Sequence, residues 1–108
     1  MFELEINEVI KETVDTISVS FNIPEGLKSS FSYKPGQYLT FEETINGEKL
    51  KRSYSLCSNP FSDELPKVAI KRVADGRFSN YANDNFKTGD LIKVNTPIGN
   101  FFADIASY

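Results

Sequence analysis

Arg52-Ser53-Tyr54-Ser55 is the segment whose residue types and spacing best fit chemistry. Along an extended strand, Arg52 and Tyr54 project from the same face, two residues apart. That face pairs a forked cation, suited to bidentate phosphate binding, with a flat aromatic able to cover a planar ring. Ser55 adds a hydroxyl that both donates and accepts. A second segment runs from Lys71-Arg72-Val73-Ala74-Asp75-Gly76 into Arg77-Phe78-Ser79-Asn80-Tyr81. Here a strand ends in basic residues, Gly76 permits a sharp turn, and Ser79 can cap a helix. Unpaired amides at a helix N-terminus bind phosphate, and Ser79 and Asn80 could add side-chain contacts. Each segment also has a plainer reading, which leads on pattern alone. Tyr54 is then a core aromatic beside a surface Arg52, and Ser79 an ordinary cap beside solvated Lys71, Arg72 and Arg77. Two phosphate-compatible sites and a ring-covering Tyr in one acidic chain point to a dinucleotide-sized ligand.

Other chemistry is excluded by composition. The chain has no His, which removes Ser-His and Cys-His catalysis and the commonest transition-metal ligand. Its single Cys, Cys57, excludes internal disulfides, thiolate zinc sites and iron–sulfur clusters held by these residues, so no metal site is expected. A net charge of -3 and a pI near 4.9 argue against nucleic acid as a partner. No apolar run approaches the ~20 residues of a spanning helix, so no membrane partner is expected. A lone free Cys behind an acidic, alternating start fits the cytoplasm. Any redox or transfer chemistry must therefore come from an organic cofactor.

The elements that must hold these residues are mostly strands. Period-two alternation predicts strands over residues 2–7, 17–23, 38–42, 49–57 and 67–73. Shorter strands follow at 91–96 and near 101–103, with one short helix over 79–85. Asn46-Gly47 is the strongest hairpin signal, joining the third and fourth strands. Many short strands with frequent turns and one helix read as an all-β antiparallel barrel or sandwich. At 108 residues, with nine Phe and five Tyr to bury, the chain is one domain with one core. Cys57 reads as packing, Glu42-Glu43 as a solvated edge, and Phe101-Phe102 as core in which at most one ring approaches a ligand.

Four motifs in order resemble the flavin-binding barrel of the ferredoxin–NADP reductase superfamily. They are Pro35-Gly36-Gln37-Tyr38, Arg52-Ser53-Tyr54-Ser55-Leu56, Val68 to Val73 leading into Gly76-Arg77-Phe78-Ser79-Asn80, and Pro97-Ile98-Gly99-Asn100-Phe101. The resemblance covers essentially the whole chain. Within the superfamily it looks most like the reductase component of phenylacetyl-CoA oxygenases (epoxidases) and related ring-hydroxylating systems. It implies a small Greek-key β-barrel with one short helix.

The resemblance also implies roles. Within the tetrad, which includes Ser53 as a binding residue, Arg52 would hold the FAD pyrophosphate and Tyr54 would pack on the isoalloxazine and ribityl. Ser55 would sit near flavin N5, the catalytic position; because alternation turns it from the Tyr54 face, the strand must bend or end there. Lys71, Arg72 and Val73 would line the flavin ring edge, mainly through backbone. Gly76, Phe78, Ser79 and Asn80 would form the second pyrophosphate contact. Relatives often carry two glycines where this chain has Asp75-Gly76, and a carboxylate there works against phosphate binding.

The parent enzyme so implied takes hydride from NAD(P)H onto FAD and passes single electrons to a 2Fe-2S centre and an oxygenase component. The chain has neither a glycine-rich nucleotide fingerprint nor a cysteine quartet. Residues 1–108 are thus expected to be the FAD-binding domain alone, with the nicotinamide domain starting just after Tyr108 and the 2Fe-2S ferredoxin domain following. A barrel beginning at residue 1 fits the flavin–nicotinamide–ferredoxin order of the phenylacetyl-CoA reductases. The isolated domain is expected to oxidise NADH poorly. The competing reading is a small oligonucleotide-binding-like barrel with no redox role, disfavoured by the acidic pI.

Overall fold

The computed structural model describes residues 1–62 and 64–99. Six strands form one antiparallel sheet: β1 (Phe2–Thr13), β2 (Thr16–Asn22), β3 (Tyr38–Ile45), β4 (Glu48–Ser55), β5 (Lys67–Lys71) and β6 (Leu91–Val94). Their order is β4-β3-β6-β1-β2-β5. The sheet curls until its two outer strands meet. Leu56 and Val68 form a bridge there, and the Cys57 amide donates to the Lys67 carbonyl at 2.8 Å. Around that junction β3, β4 and β5 are successive neighbours, and β6 returns beside β3, which is Greek-key order.

Alternation explains the core. Leu4 and Ile6 from β1, Ile17, Val19 and Phe21 from β2, Leu39 and Phe41 from β3, Val68 and Ile70 from β5, and Ile92 and Val94 from β6 all point inward. β1 is longer than its alternation predicts. A register shift between Ile6 and Glu8 reverses the parity of the strand, so Val9 pairs with Val19 and again faces the core. Asn46 and Gly47 both take positive φ, 52° and 81°, which is the twist a two-residue hairpin requires.

The single α-helix, α1, spans Arg77–Asn85, two residues earlier than predicted. Its N-cap is Gly76, so Ser79 is not the cap. Ser79 instead lies in the first turn with its side chain buried. Phe78 and Ala82 seat the helix on the core, and the Asn83 amide donates to the Ile70 carbonyl at 3.1 Å, fixing α1 against β5. β5 stops at Lys71, short of Val73, β4 stops at Ser55, short of Cys57, and β6 at Val94, short of Thr96. The strand expected near 101–103, with Phe101 and Phe102, lies outside the described residues.

Candidate functional site

Strand β4 carries the tetrad as alternation requires. Leu50 is buried, and Arg52 and Tyr54 continue its face toward the sheet end, opposite Phe41 and Leu39 of β3. Arg52 is exposed, and its Nη1 donates to the neighbouring Lys51 carbonyl at 2.7 Å. Tyr54 is half-buried, its ring 6.1 Å from Phe41 and 5.9 Å from Phe78. Burial pushes the Tyr54 phenol above its ordinary value, and the nearby Arg52 charge partly opposes that rise. Ser53 and Ser55 face the other side, and the Ser53 hydroxyl pairs with Thr40 at 2.8 Å. Ser55 is exposed and is the last residue of β4, the strand end that a role near Tyr54 requires.

The turn between β5 and α1 comes to the same place. Phe78 links the two segments, since its ring packs on both Tyr54 and Phe41. Phe78 as a whole is 1% exposed, so its ring offers no face to a ligand. An ion pair adds a second link, with Arg77 Nη1 2.7 Å from Glu48 Oε2 at the start of β4. Gly76 caps the helix without a side chain, and the first turn carries no acidic residue. Among the described residues, no side chain accepts from the amides of Arg77, Phe78 or Ser79. These donors have no side-chain partner at the positive end of the helix dipole.

The remaining candidates serve the turn itself. Lys71 ends β5 with its side chain exposed. Arg72 reaches α1, where Nη2 meets Asp84 at 2.5 Å and Nη1 meets Asn80 Oδ1 at 3.2 Å. The Asp84 carboxyl is held below its ordinary value, chiefly by that hydrogen bond. Val73 is exposed; its amide donates to Ser79 Oγ at 3.3 Å, and its carbonyl accepts from Gly76 and from Asn80 Nδ2. A Cβ on Gly76 would lie 2.3 Å from Val73 Cγ2 and 2.5 Å from Ser79 Oγ, so glycine alone fits. Asp75 has φ 61°, a left-handed conformation in which a second glycine would be at ease and Asp is tolerated.

Sequence reasoning missed Glu48 and Asp84, the carboxylates that pair with Arg77 and Arg72. Asp84 was findable, because it falls four residues after Asn80 on one helix face. Glu48 was not, since its meeting with Arg77 depends on tertiary packing. Cys57 is an exposed free thiol rather than buried packing, its Sγ 3.4 Å from the Lys67 carbonyl. Glu42 does not lie on an open edge; it is largely covered, with Lys51 and Lys93 each 3.9 Å away.

A guanidinium, a half-buried phenol face and open helix amides together suit a ligand with a planar ring and a diphosphate. The comparisons agree. The 3-ketosteroid-9-alpha-monooxygenase ferredoxin reductase component of Rhodococcus rhodochrous is 42% identical over 91% of this chain. A component of the 1,2-phenylacetyl-CoA epoxidase of Escherichia coli K12 is 36% identical over 91% of it. The chain spans only 28% and 27% of those two proteins. In structure, phthalate dioxygenase reductase matches with a TM-score of 0.69 at 27% identity, over 92% of this chain and 30% of that one. A Neisseria gonorrhoeae ferredoxin NADP+ reductase with bound FAD and NADP shares the fold, at TM-score 0.76 and 22% identity, over 95% of this chain and 40% of that one. The family model described as the oxidoreductase FAD-binding domain matches residues 3–102. That match replaces the alternative of a barrel without a redox role. Covering both the tetrad and the helix start, it makes this chain a member of the oxidoreductase FAD-binding domain family.

Proposed function

We propose that the chain is the flavin-holding part of an NAD(P)H-dependent reductase that feeds electrons to an oxygenase. The observation that carries the reading is the packing of Tyr54 on Phe78, which joins the tetrad to the open start of α1. Arg52 and the amides of Arg77 to Ser79 would hold the FAD pyrophosphate from two sides, and the exposed face of Tyr54 would cover the ring system. Gly76 and the Val73 backbone would frame the approach. Ser55, at the end of β4, would offer its hydroxyl near flavin N5, with Lys71 and Arg72 behind the ring edge. A bound flavin accepts two electrons as hydride and releases them singly, the exchange needed between nicotinamide and a one-electron centre.

The nicotinamide-binding and 2Fe-2S domains would belong to the rest of the parent protein, since this chain spans less than a third of the relatives it matches. Phenylacetyl-CoA degradation is the substrate reading that the sequence motifs favour, and the epoxidase component supports it. The steroid monooxygenase component, more identical to this chain, supports a second reading, and a Pseudomonas aeruginosa glycine betaine monooxygenase reductase is 40% identical. Nothing in the flavin site selects among them, because this half of a reductase handles electrons rather than the oxygenase substrate. An exposed free Cys57 supports placement in the reducing cytoplasm. Among the described residues, no helix is long and apolar enough to cross a membrane.

Titration of the purified chain with FAD, followed by flavin fluorescence and absorbance, tests the reading. Saturable binding of one FAD per chain is expected. A folded chain that binds neither FAD nor FMN overturns it.

A further inference from the structure

Asn80 carries donors and an acceptor at the mouth of the phosphate site, yet its side chain is already spent. Nδ2 donates to the Gly76 carbonyl at 2.8 Å and to the Val73 carbonyl at 3.2 Å, which uses both amide hydrogens. Oδ1 accepts from Arg72 Nη1 at 3.2 Å, and Arg72 is in turn held by Asp84. Ser79 is spent in the same way: its hydroxyl accepts from the Val73 amide and donates to the Gly76 carbonyl, both at 3.3 Å. Every one of these bonds joins α1 to the 73–76 turn or to Arg72 just before it.

This arrangement departs from ordinary helix starts. An N-cap Ser, Thr, Asp or Asn folds its oxygen over the first-turn amides and neutralises them. Here the cap is a glycine, and the two side chains that could reach forward are turned back onto the carbonyls of Val73 and Gly76. The turn also holds Asp75 in a left-handed conformation, at φ 61°. Without the Asn80 amide, the carbonyls of residues 73 and 76 would lose a fixed partner, and the turn could relax across the open amides.

We propose that Asn80 is a positioning residue for the flavin pyrophosphate, acting through the 73–76 turn rather than through a bond of its own to phosphate. The proposal rests on the flavin reading above. Arg72 and Asp84 are the back of the same clasp, with Arg72 orienting the Asn80 carboxamide and Asp84 orienting Arg72. The role differs from a direct contact in one measurable way: the turn must already be held before any cofactor is present.

The test compares the wild-type chain with Asn80→Ala. FAD and riboflavin, which has no phosphate, are titrated into each, and amide hydrogen exchange is followed in the cofactor-free protein. Asn80→Ala is expected to weaken FAD about tenfold, the scale of one well-made hydrogen bond, and to leave riboflavin unchanged. The Gly76 amide, bonded to the Val73 carbonyl at 2.9 Å, is expected to lose protection before any flavin is added. Weakened FAD binding with the Gly76 amide as protected as in the wild type makes Asn80 a direct ligand and overturns the proposal, as does unchanged FAD affinity. A wild-type chain that binds no FAD overturns the flavin reading and this inference together.

Should Asn80→Ala not fold, Asp84→Ala decides by sign. Removing a carboxylate near an anion site strengthens binding by charge alone. Loss of the clasp instead weakens FAD about threefold, and tighter FAD binding in this variant overturns the proposal.

Discussion

The phenol ring of Tyr54 and the phenyl ring of Phe78 lie 5.9 Å apart with their planes inclined at 35°. One ring is half-buried at the end of β4, and the other is fully buried in the first turn of α1. An aromatic pair of this kind contributes about 1 kcal/mol beyond the area it buries. It also sets where the open helix amides stand relative to Arg52, so one packing contact ties core stability to site geometry.

In the proposed reading Arg52 meets the pyrophosphate, a group FMN lacks. Arg52→Ala is therefore expected to weaken FAD by about tenfold to a hundredfold, the range of a charge-assisted pair, and FMN by clearly less. Parallel fluorescence titrations check this, and equal losses for the two flavins contradict the assignment.

Asp75 brings a carboxylate one residue before the Gly76 cap and holds a left-handed φ of 61°. Asp75→Gly removes both features. FAD is expected to bind about threefold tighter at low salt, with the gain shrinking as salt screens the lost charge. Stability is expected to change by less than about 1 kcal/mol, because relief of backbone strain is offset by a more flexible unfolded chain. Titrations at two ionic strengths and a urea melt measure both effects.

Gly76→Ala places a methyl group 2.5 Å from Ser79 Oγ and 2.3 Å from Val73 Cγ2. The exposed Val73 side chain can rotate away. The buried Ser79 hydroxyl cannot, since it is bonded on both sides. A loss of about 1–3 kcal/mol in denaturant unfolding is expected, typical of overpacking. A loss below a few tenths of a kcal/mol means the turn is softer than its hydrogen bonds imply.

The Tyr54 phenol is raised above its ordinary value by burial. A raised folded pKa favours the neutral form, so its share of stability is complete below the ordinary phenol value, about 10, and is lost as pH rises through the folded value. Stability is expected to fall on the alkaline side, and Tyr54→Phe should remove part of that fall. The phenolate absorbance lost in Tyr54→Phe should titrate above the ordinary phenol value; a lost band titrating at or below about 10 would contradict it.

Much of the site was legible residue by residue. The spacing of Arg52 and Tyr54 fixes their shared face wherever the segment is a strand, and Gly76 before a polar helical stretch marks a turn into a helix. The direction of the side chains around that turn was not legible. Ser79 and Asn80 look from their types like outward-facing donors, yet both fold back onto carbonyls that only the turn geometry presents. Phe78 reads as part of the loop motif, while its ring is core. The length of β1 escaped for a related reason, since a bulge interrupts the alternation by which strands are recognised.

The sequence by itself determined the chemistry that is possible. With no His and one Cys, any redox or transfer chemistry here must come from an organic cofactor, and the alternation commits the chain to an antiparallel sheet around an aromatic core. The tertiary structure decided which polar groups remain free to use. Glu48 and Arg77 are 29 residues apart and Tyr54 and Phe78 are 24 apart, and only closure of the sheet with α1 docked on its core brings each pair together. Side-chain hydrogen bonding is settled by which acceptor lies within about 3 Å, and local sequence does not encode that for contacts made across the fold.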